Sequence, residues 1–250
     1  MKERIILKNS PIVETWLIVD FQSAYAPSRG ELKAFVSENY ANAKSVEIIT
    51  DRQEKIEIKG DVRVENIVVN TAAGIAFMAS GDDHTVIVAK KNRIEIRALG
   101  KYPSWEDFIA KASAHYEKCA AFLKPSDLMR IAIKSINRIE IPFDVKRFSD
   151  VITTMPQEVD KDLTSVCAEF MYRDTQYYPD FHSFATVVRA YQRQQMNKEG
   201  RSPLFFDIEV FKTPDGKKLT FDQETLSELH DLKNAIFFGS IAPRQLEAYK

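Results

Sequence analysis

The chain has 250 residues, of which 44% are hydrophobic and 28% are charged, a composition typical of a folded globular protein. Its formal net charge is −1 at pH 7, so no overall positive field favours nucleic acid or an anionic membrane surface. No segment approaches the roughly 20 apolar residues of a membrane span, and the first residues lack the apolar core of a signal peptide. We therefore expect a cytoplasmic protein.

The chain contains two cysteines, Cys119 and Cys167, and each lies in an apolar, periodic stretch. Two cysteines could hardly stabilise a chain of this length through a disulfide framework. We therefore expect both to be buried free thiols.

The first half of the chain begins with a predicted strand and a predicted helix. The run IVETWLIVDF, Ile12 to Phe21, is rich in β-branched and aromatic residues and indicates a strand. The segment from Ser28 to Tyr40 has helical periodicity, and Ser28 with Glu31 has the spacing of a capping box. Six short alternating runs follow, separated by breaks that resemble hairpin turns, and they predict an antiparallel meander. The runs are VEIIT, KIEIK, VRVENIVV, GIAFMAS, TVIVA and RIEIR.

A long amphipathic helix is predicted from Ser104 to Leu123, with Ser104 as N-cap and Asp107 at the third helical position. Its apolar residues recur at helical spacing, so one face of this helix should pack on the sheet. They are Trp105, Phe108, Ile109, Ala112, Tyr116, Cys119 and Leu123.

The second half, after Pro125, has a similar pattern. LMRIAIKSINRIEIPF indicates a long strand, and further strands are predicted around CAEFMYRDT, FATVVRAYQRQ and LFFDIEVFKT. A helix from Asp222 to Phe237 follows, with Thr220 and Gln223 at capping-box spacing.

These elements predict an α+β fold, in which antiparallel meander sheets are packed against helices. Few strands alternate with helices, which argues against a doubly wound parallel sheet. The order of strand, meander and C-terminal helix occurs twice, so we hypothesise two similar α+β halves, 1–124 and 125–250, packed as one unit.

Five segments, spread over nearly the whole chain, carry a family resemblance. They are PIVE (11–14), KYPSWEDF (101–108), RIAIKSINRIEIP (130–142), FFDIEV (205–210) and LHDLKNAIFFGSI (229–241). Together they resemble a sporadically distributed prokaryotic family of roughly this length that has no assigned biochemical activity. The resemblance implies a shared fold and an accessory role in mobile or defence-type loci, and it supplies no catalytic residues. Lys134 departs from it, because an arginine is expected there.

Motifs for metal, phosphate or nucleophilic chemistry are missing from the sequence. His115 and Cys119 have helical i, i+4 spacing, but no second pair of ligand residues follows them. There is no GxGxxG, no GxxxxGK[ST] and no GxSxG motif. We therefore expect no cofactor and no metal, and we name no catalytic residue. Dispersed carboxylates and histidines leave an unrecognised hydrolase as an alternative, and enzymatic activity stays uncertain.

The long strand around residues 129–141 supplies one group of candidate site residues. Because strand side chains alternate, Arg130, Lys134 and Arg138 should share one face, and Asn137 should lie on the opposite, apolar face. We expect Asn137 to be a structural polar residue that bonds to the backbone of a neighbouring loop. The basic row is either a contact for an acidic partner or a solvated, salt-bridged face of the sheet.

The segment from Tyr172 to Arg201 mixes aromatic and basic residues. Its candidate partner-binding residues are Tyr177, Tyr178, Arg189 and Arg193. Tyrosine and arginine are common anchors of protein interfaces, and the same mixture suits single-stranded nucleic acid.

These observations favour a non-enzymatic, protein-binding accessory or regulatory subunit, for example of a toxin–antitoxin or antiviral defence system. Its protein partner would be encoded nearby. The alternative is a protein that binds RNA or single-stranded DNA, and the unrecognised hydrolase is the third hypothesis. No membrane partner is expected.

Overall fold

The computed structural model describes residues 7–59, 62–79, 84–100, 102, 104–142, 148–153, 169–192 and 200–249. The strands are β1 (Ile12–Gln22), β2 (Lys44–Lys59), β3 (Val62–Met78), β4 (Thr85–Lys90), β5 (Arg93–Leu99), β6 (Asp127–Pro142), β7 (Glu169–Tyr178), β8 (Ser183–Gln192) and β9 (Arg201–Lys212). The α-helices are α1 (Arg29–Asn39), α2 (Trp105–Leu123), α3 (Gln223–Ser240) and α4 (Pro243–Glu247).

Within the described residues, nine strands form an antiparallel sheet in the order β2-β3-β4-β5-β1-β6-β9-β8-β7. Nine strands of this kind together with four α-helices confirm the predicted α+β fold. The chain divides into two compact units. The first comprises Met1–Leu17, Leu99–Pro103 and Ile131–Lys250, and the second comprises Ile18–Ala98 and Ser104–Arg130. The two halves expected from the sequence, 1–124 and 125–250, stay a prediction.

In the second unit, the predicted meander is present with fewer and longer strands. VEIIT and KIEIK belong to one strand, β2, and the DRQ segment between them lies inside it instead of forming a turn. The register of β2 against β3 shifts at this point, from Ile49 opposite Gly74 to Thr50 opposite Ala72. An irregularity in the ladder therefore occurs where the sequence suggested a chain reversal.

The helices of the second unit begin as the sequence predicts. Ser28 and Glu31 form the capping box of α1, and the Ser104 side chain accepts a hydrogen bond from the Asp107 N–H at the start of α2. The predicted apolar face of α2 is buried in full. A stacked pair, Phe35 and Phe122, joins the two helices with ring centroids 4.5 Å apart.

In the first unit, β6, β9, β8 and β7 pair as an antiparallel series. Helix α3 packs on one side of β9, where the rings of Phe237 and Phe206 lie 6.2 Å apart. The capping prediction for α3 was wrong, because the N-cap is Asp222, whose carboxylate accepts from the Thr225 N–H at 2.8 Å. Thr220 instead donates its hydroxyl to Asp222.

No helix in the described part of the chain is long and apolar enough to cross a membrane.

Candidate functional site

The strands of the first unit present two chemically different faces. On β6, Ile131, Ile133, Asn137 and Ile139 point to the side that is buried, and from residue 134 onward the residues of the other side are half-buried or exposed. The same alternation continues across β9 and β8. We call the side contacted by α3 the helix face and the other side the open face. The open face carries Trp16, Lys134, Ile136, Arg138, Met171, Arg173, Thr175, Tyr177, Phe184, Thr186, Val188, Phe205, Asp207, Glu209 and Phe211.

An aromatic row crosses three strands of the open face. Tyr177 pairs with Phe184, and Phe184 pairs with Phe211, so the three side chains are cross-strand neighbours. Their ring centroids lie 4.9 Å and 5.4 Å apart, and the two phenylalanines are stacked. Tyr177 is 46% exposed, and Met171 on the same strand is 79% exposed. The aromatic row is therefore an apolar surface that solvent reaches.

The predicted basic row has an acidic neighbour at each position. In the first unit, the Lys134 ammonium lies 2.8 Å from Asp207, and Arg138 donates to Glu140 at 2.7 Å. In the second unit, Arg130 lies 3.7 Å from Asp20. Each residue of the row therefore has an acidic neighbour, as the salt-bridged alternative expects, and a role of the row in partner binding stays a prediction.

The environment of Lys134 contains an aromatic ring and a second carboxylate. Its ammonium lies 4.7 Å from the centre of the Trp16 ring, a cation–π distance. The pKa of Asp207 is raised, chiefly because burial opposes its charge, although the hydrogen bond from Lys134 acts in the opposite direction. Glu14 also raises the pKa of Asp207. Lys134 is therefore held between the Asp207 carboxylate and the Trp16 ring.

Asn137 is a buried polar residue of the helix face. It is 1% exposed, and its Nδ2 donates to the backbone oxygen of Phe206 at 2.9 Å. The sequence analysis predicts a partner in a neighbouring loop, and this is wrong. The partner lies in the adjacent strand β9, because the register places Asn137 opposite Phe206. The amide adds a side-chain bond to the backbone ladder between the two strands.

The aromatic and basic candidates of β7 and β8 divide between the two faces. Tyr177 lies on the open face, whereas Tyr178 and Arg189 lie on the helix face. Arg189 is only 4% exposed, donates to Asp174 at 2.6 Å and lies 5.8 Å from the ring centre of Tyr172. Arg193 lies outside the described residues. The structure therefore does not join the described candidates in one surface.

A cavity of about 440 Å³ lies on the helix face, between the β7–β8 hairpin and α3. The strand wall is polar at Asp174, Gln176 and Arg189, and Tyr172 and Tyr178 add aromatic rings. The helix wall is apolar. Its residues are Leu232, Ala235, Ile236 and Gly239, with Ser240 at one end.

The polar wall of the cavity is a continuous chain of hydrogen bonds. Tyr178 donates its hydroxyl to Gln176 Oε1 at 3.3 Å, and Gln176 Nε2 donates to Asp174 Oδ2 at 3.1 Å. Arg189 Nη1 donates to the other carboxylate oxygen, Asp174 Oδ1. Burial, together with Asp174, raises the pKa of the Tyr178 hydroxyl, so it stays a donor at neutral pH.

The histidine and cysteine candidates do not form a metal centre in the described residues, where no three metal-ligating side chains converge. His115 Nδ1 lies 3.3 Å from the Tyr40 hydroxyl. Cys119 is a buried free thiol, as predicted, and burial raises its pKa to about 12. It is therefore protonated at neutral pH, a state that opposes nucleophilic chemistry. Cys167 lies outside the described residues.

Sequence reasoning missed the residues that complete both surfaces. Phe184 and Phe211 lie in predicted strands, and the register of β8 with its neighbours shows that they share a face with Tyr177. Asp174 and Gln176 are two residues apart on β7, so their shared face follows from the spacing. The spacing within β7 gives no indication that α3 lines the other wall of the cavity.

No family model matches the chain, and no curated protein matches it significantly. The resemblance to a prokaryotic family of unassigned activity therefore stays a prediction. The first unit thus offers two candidate sites, the aromatic row of the open face and the cavity on the helix face.

Proposed function

We propose that the protein is a non-enzymatic, cytoplasmic accessory or regulatory subunit that binds a protein partner through the open face. The observation that carries the proposal is the aromatic row, which lies on a solvent-accessible sheet face instead of in the core. Exposed apolar patches of this kind are typical of interaction surfaces.

The charges of the open face favour a protein partner over nucleic acid. Lys134, Arg138 and Arg173 of this face share the sheet with carboxylates of the same and of neighbouring strands. These carboxylates are Glu14, Glu140, Asp207 and Glu209. A phosphate backbone needs an excess of positive charge, whereas protein interfaces combine aromatic residues, methionine and arginine with compensated charge. Arg189, which the nucleic-acid hypothesis places in contact with phosphate, is buried and ion-paired.

The partner is expected among the proteins encoded beside this chain. The resemblance to a family of mobile or defence-type loci motivates this expectation, and a toxin or an antiviral effector is the class of partner that follows from it. The proposal concerns binding and assigns no catalytic step to the chain.

The test is to purify each neighbouring gene product and measure its affinity for the full chain and for two tyrosine variants. Tyr177→Ala removes the exposed end of the aromatic row, and Tyr172→Ala removes a similarly exposed tyrosine from the other face of the same strand. A central interface tyrosine contributes roughly 2 kcal/mol or more, so Tyr177→Ala should weaken binding at least about tenfold. Tyr172→Ala should change the affinity by less than about twofold.

Two results would contradict the proposal. One is that no neighbouring product binds at micromolar concentration. The other is that both tyrosine variants weaken binding equally, since the open face would then not be the interface.

A further inference from the structure

We propose that the cavity between the β7–β8 hairpin and α3 binds a small, neutral, planar aromatic molecule that carries N–H donors, the chemical class of indole. This site lies on the opposite face of the sheet from the proposed protein interface. Ligand binding at this site does not depend on the protein partner.

The walls of the cavity suit a flat apolar ring. Leu232 and Ile236 of α3 supply an aliphatic surface, and Tyr172, Tyr178 and Phe181 supply aromatic rings. An apolar cavity of about 150 Å³ is large enough for benzene. The present cavity, at about 440 Å³, therefore accommodates a bicyclic ring with space for substituents.

The oxygen atoms of the polar wall can accept more hydrogen bonds than the donors within the wall supply. Each oxygen of Asp174 accepts one bond from within the wall, and so does Gln176 Oε1. A carboxylate or amide oxygen has two lone pairs, so each of the three oxygens can accept a further bond. The Tyr178 hydroxyl donates within the wall and also retains acceptor capacity. A ligand with N–H groups would use these acceptors.

The charges of the cavity favour a neutral ligand. Among its lining residues, the formally charged side chains are Asp174 and Arg189, and they lie 2.6 Å apart as an ion pair. An anionic ligand would be repelled by Asp174, and a cationic ligand would be repelled by Arg189. A neutral aromatic ligand leaves this pair intact and still contacts the apolar wall.

The helix wall offers positions where the cavity can be filled without disturbing the core. Ala235 and Gly239 are exposed residues of α3 that line the cavity. A Cβ atom added at Gly239 would meet no atom within 4 Å beyond its chain neighbours and the backbone of its own helix. Ala34 of α1, in the second unit, is an exposed helical alanine and provides a matched control.

The experiment is a titration of the full chain with indole and with 1-methylindole, followed by calorimetry and ligand-observed NMR. Indole should bind saturably at one site. 1-Methylindole keeps the ring but lacks the N–H group, and the loss of one hydrogen bond should weaken its binding about fivefold. Indole-3-acetate, the anionic relative, should bind more weakly than indole.

The blocking variants decide where the ligand binds. Ala235→Phe should abolish indole binding, and Ala34→Phe should leave it unchanged. Gly239→Leu fills the same space from a second position and serves if Ala235→Phe does not fold, as judged by circular dichroism. No saturable indole binding, or equal binding by the blocking and control variants, would overturn the proposal. Equal affinity for indole and 1-methylindole would overturn the role of the acceptor wall.

Discussion

Two neighbouring residues of β6 separate structural from surface roles. Asn137 is buried, and its amide bonds to Phe206, whereas the next residue, Arg138, is exposed on the open face. Asn137→Ala would leave the backbone oxygen of Phe206 without this donor and create a small void. We expect the free energy of unfolding to fall by about 1–3 kcal/mol, measured by urea denaturation.

Arg138→Ala is the matched control for this measurement. Its ion pair with Glu140 is partly exposed, and exposed ion pairs contribute roughly 0–1 kcal/mol. The unfolding midpoint should therefore change little. If Arg138→Ala destabilised the chain as much as Asn137→Ala, the basic row would be part of the architecture and not of a surface.

The Cys119 thiol provides a prediction about reactivity. Because burial raises its pKa to about 12, the thiolate that alkylating reagents require is scarce at pH 8, and the side chain is also shielded from solvent. In a Cys167→Ser variant, which leaves a single thiol, iodoacetamide should label the native protein at least about a hundredfold more slowly than the urea-unfolded protein. Labelling at similar rates in both states would show that α2 does not bury this residue.

At the scale of elements, Gly74 of β3 is required by a close approach of two strands. A Cβ atom at this position would lie 2.5 Å from the backbone oxygen of Ala89 and 2.9 Å from Lys90, nearer than real contacts allow. The clash involves backbone, which cannot rotate away. Gly74→Ala should therefore lower the unfolding free energy by about 1–3 kcal/mol, since β3 and β4 must separate locally.

Gly30 of α1 is the control for this substitution. A Cβ atom there would meet Ser28 Oγ at 3.9 Å, an ordinary contact, and the residue is exposed. Because alanine favours helix over glycine, Gly30→Ala should be neutral or stabilising by up to about 1 kcal/mol. Thermal melts of both variants test the pair, and equal destabilisation would contradict the steric explanation for Gly74.

Local sequence signals predicted most helices and strands correctly, but they were less successful for the turns between strands. The caps of α1 and α2 were predicted from Ser28 and Ser104, because capping is a short-range interaction. The DRQ segment was interpreted as a turn, but the pairing of β2 with β3 carries the strand through it. That pairing joins residues far apart in the sequence, so the three residues of the DRQ segment alone cannot indicate it.

The candidate site was less predictable than the fold for the same reason. Alternation within β7 places Tyr177 and Tyr178 on opposite faces, a consequence that follows from spacing alone. Whether either face is covered depends on α3, which begins more than forty residues later in the sequence. The burial of Arg189 and its bond to Asp174 depend on the β7–β8 register, so the composition of the segment could not show that this arginine is covered.

At the scale of the whole molecule, charge balance distinguishes the two leading hypotheses. The formal net charge of the chain is −1, and on the open face Lys134 lies beside Asp207 of the adjacent strand and Arg138 beside Glu140 of its own strand. Nucleic-acid binding releases counterions from the phosphate backbone, and its affinity therefore falls steeply with salt. A contact made by aromatic side chains and compensated charges lacks this source of salt dependence.

Binding of the protein partner should therefore be nearly insensitive to salt. Between 50 and 200 mM NaCl we expect the Kd to change by less than about tenfold, whereas a protein that makes six to ten phosphate contacts loses roughly 10³- to 10⁵-fold. Fluorescence anisotropy with the labelled partner, repeated with single-stranded RNA of mixed sequence, measures both dependences on the same preparation. Tight RNA binding at 50 mM salt that disappears at 200 mM would favour the nucleic-acid hypothesis, because the field of the molecule would then have to contain a positive patch beyond the described open face.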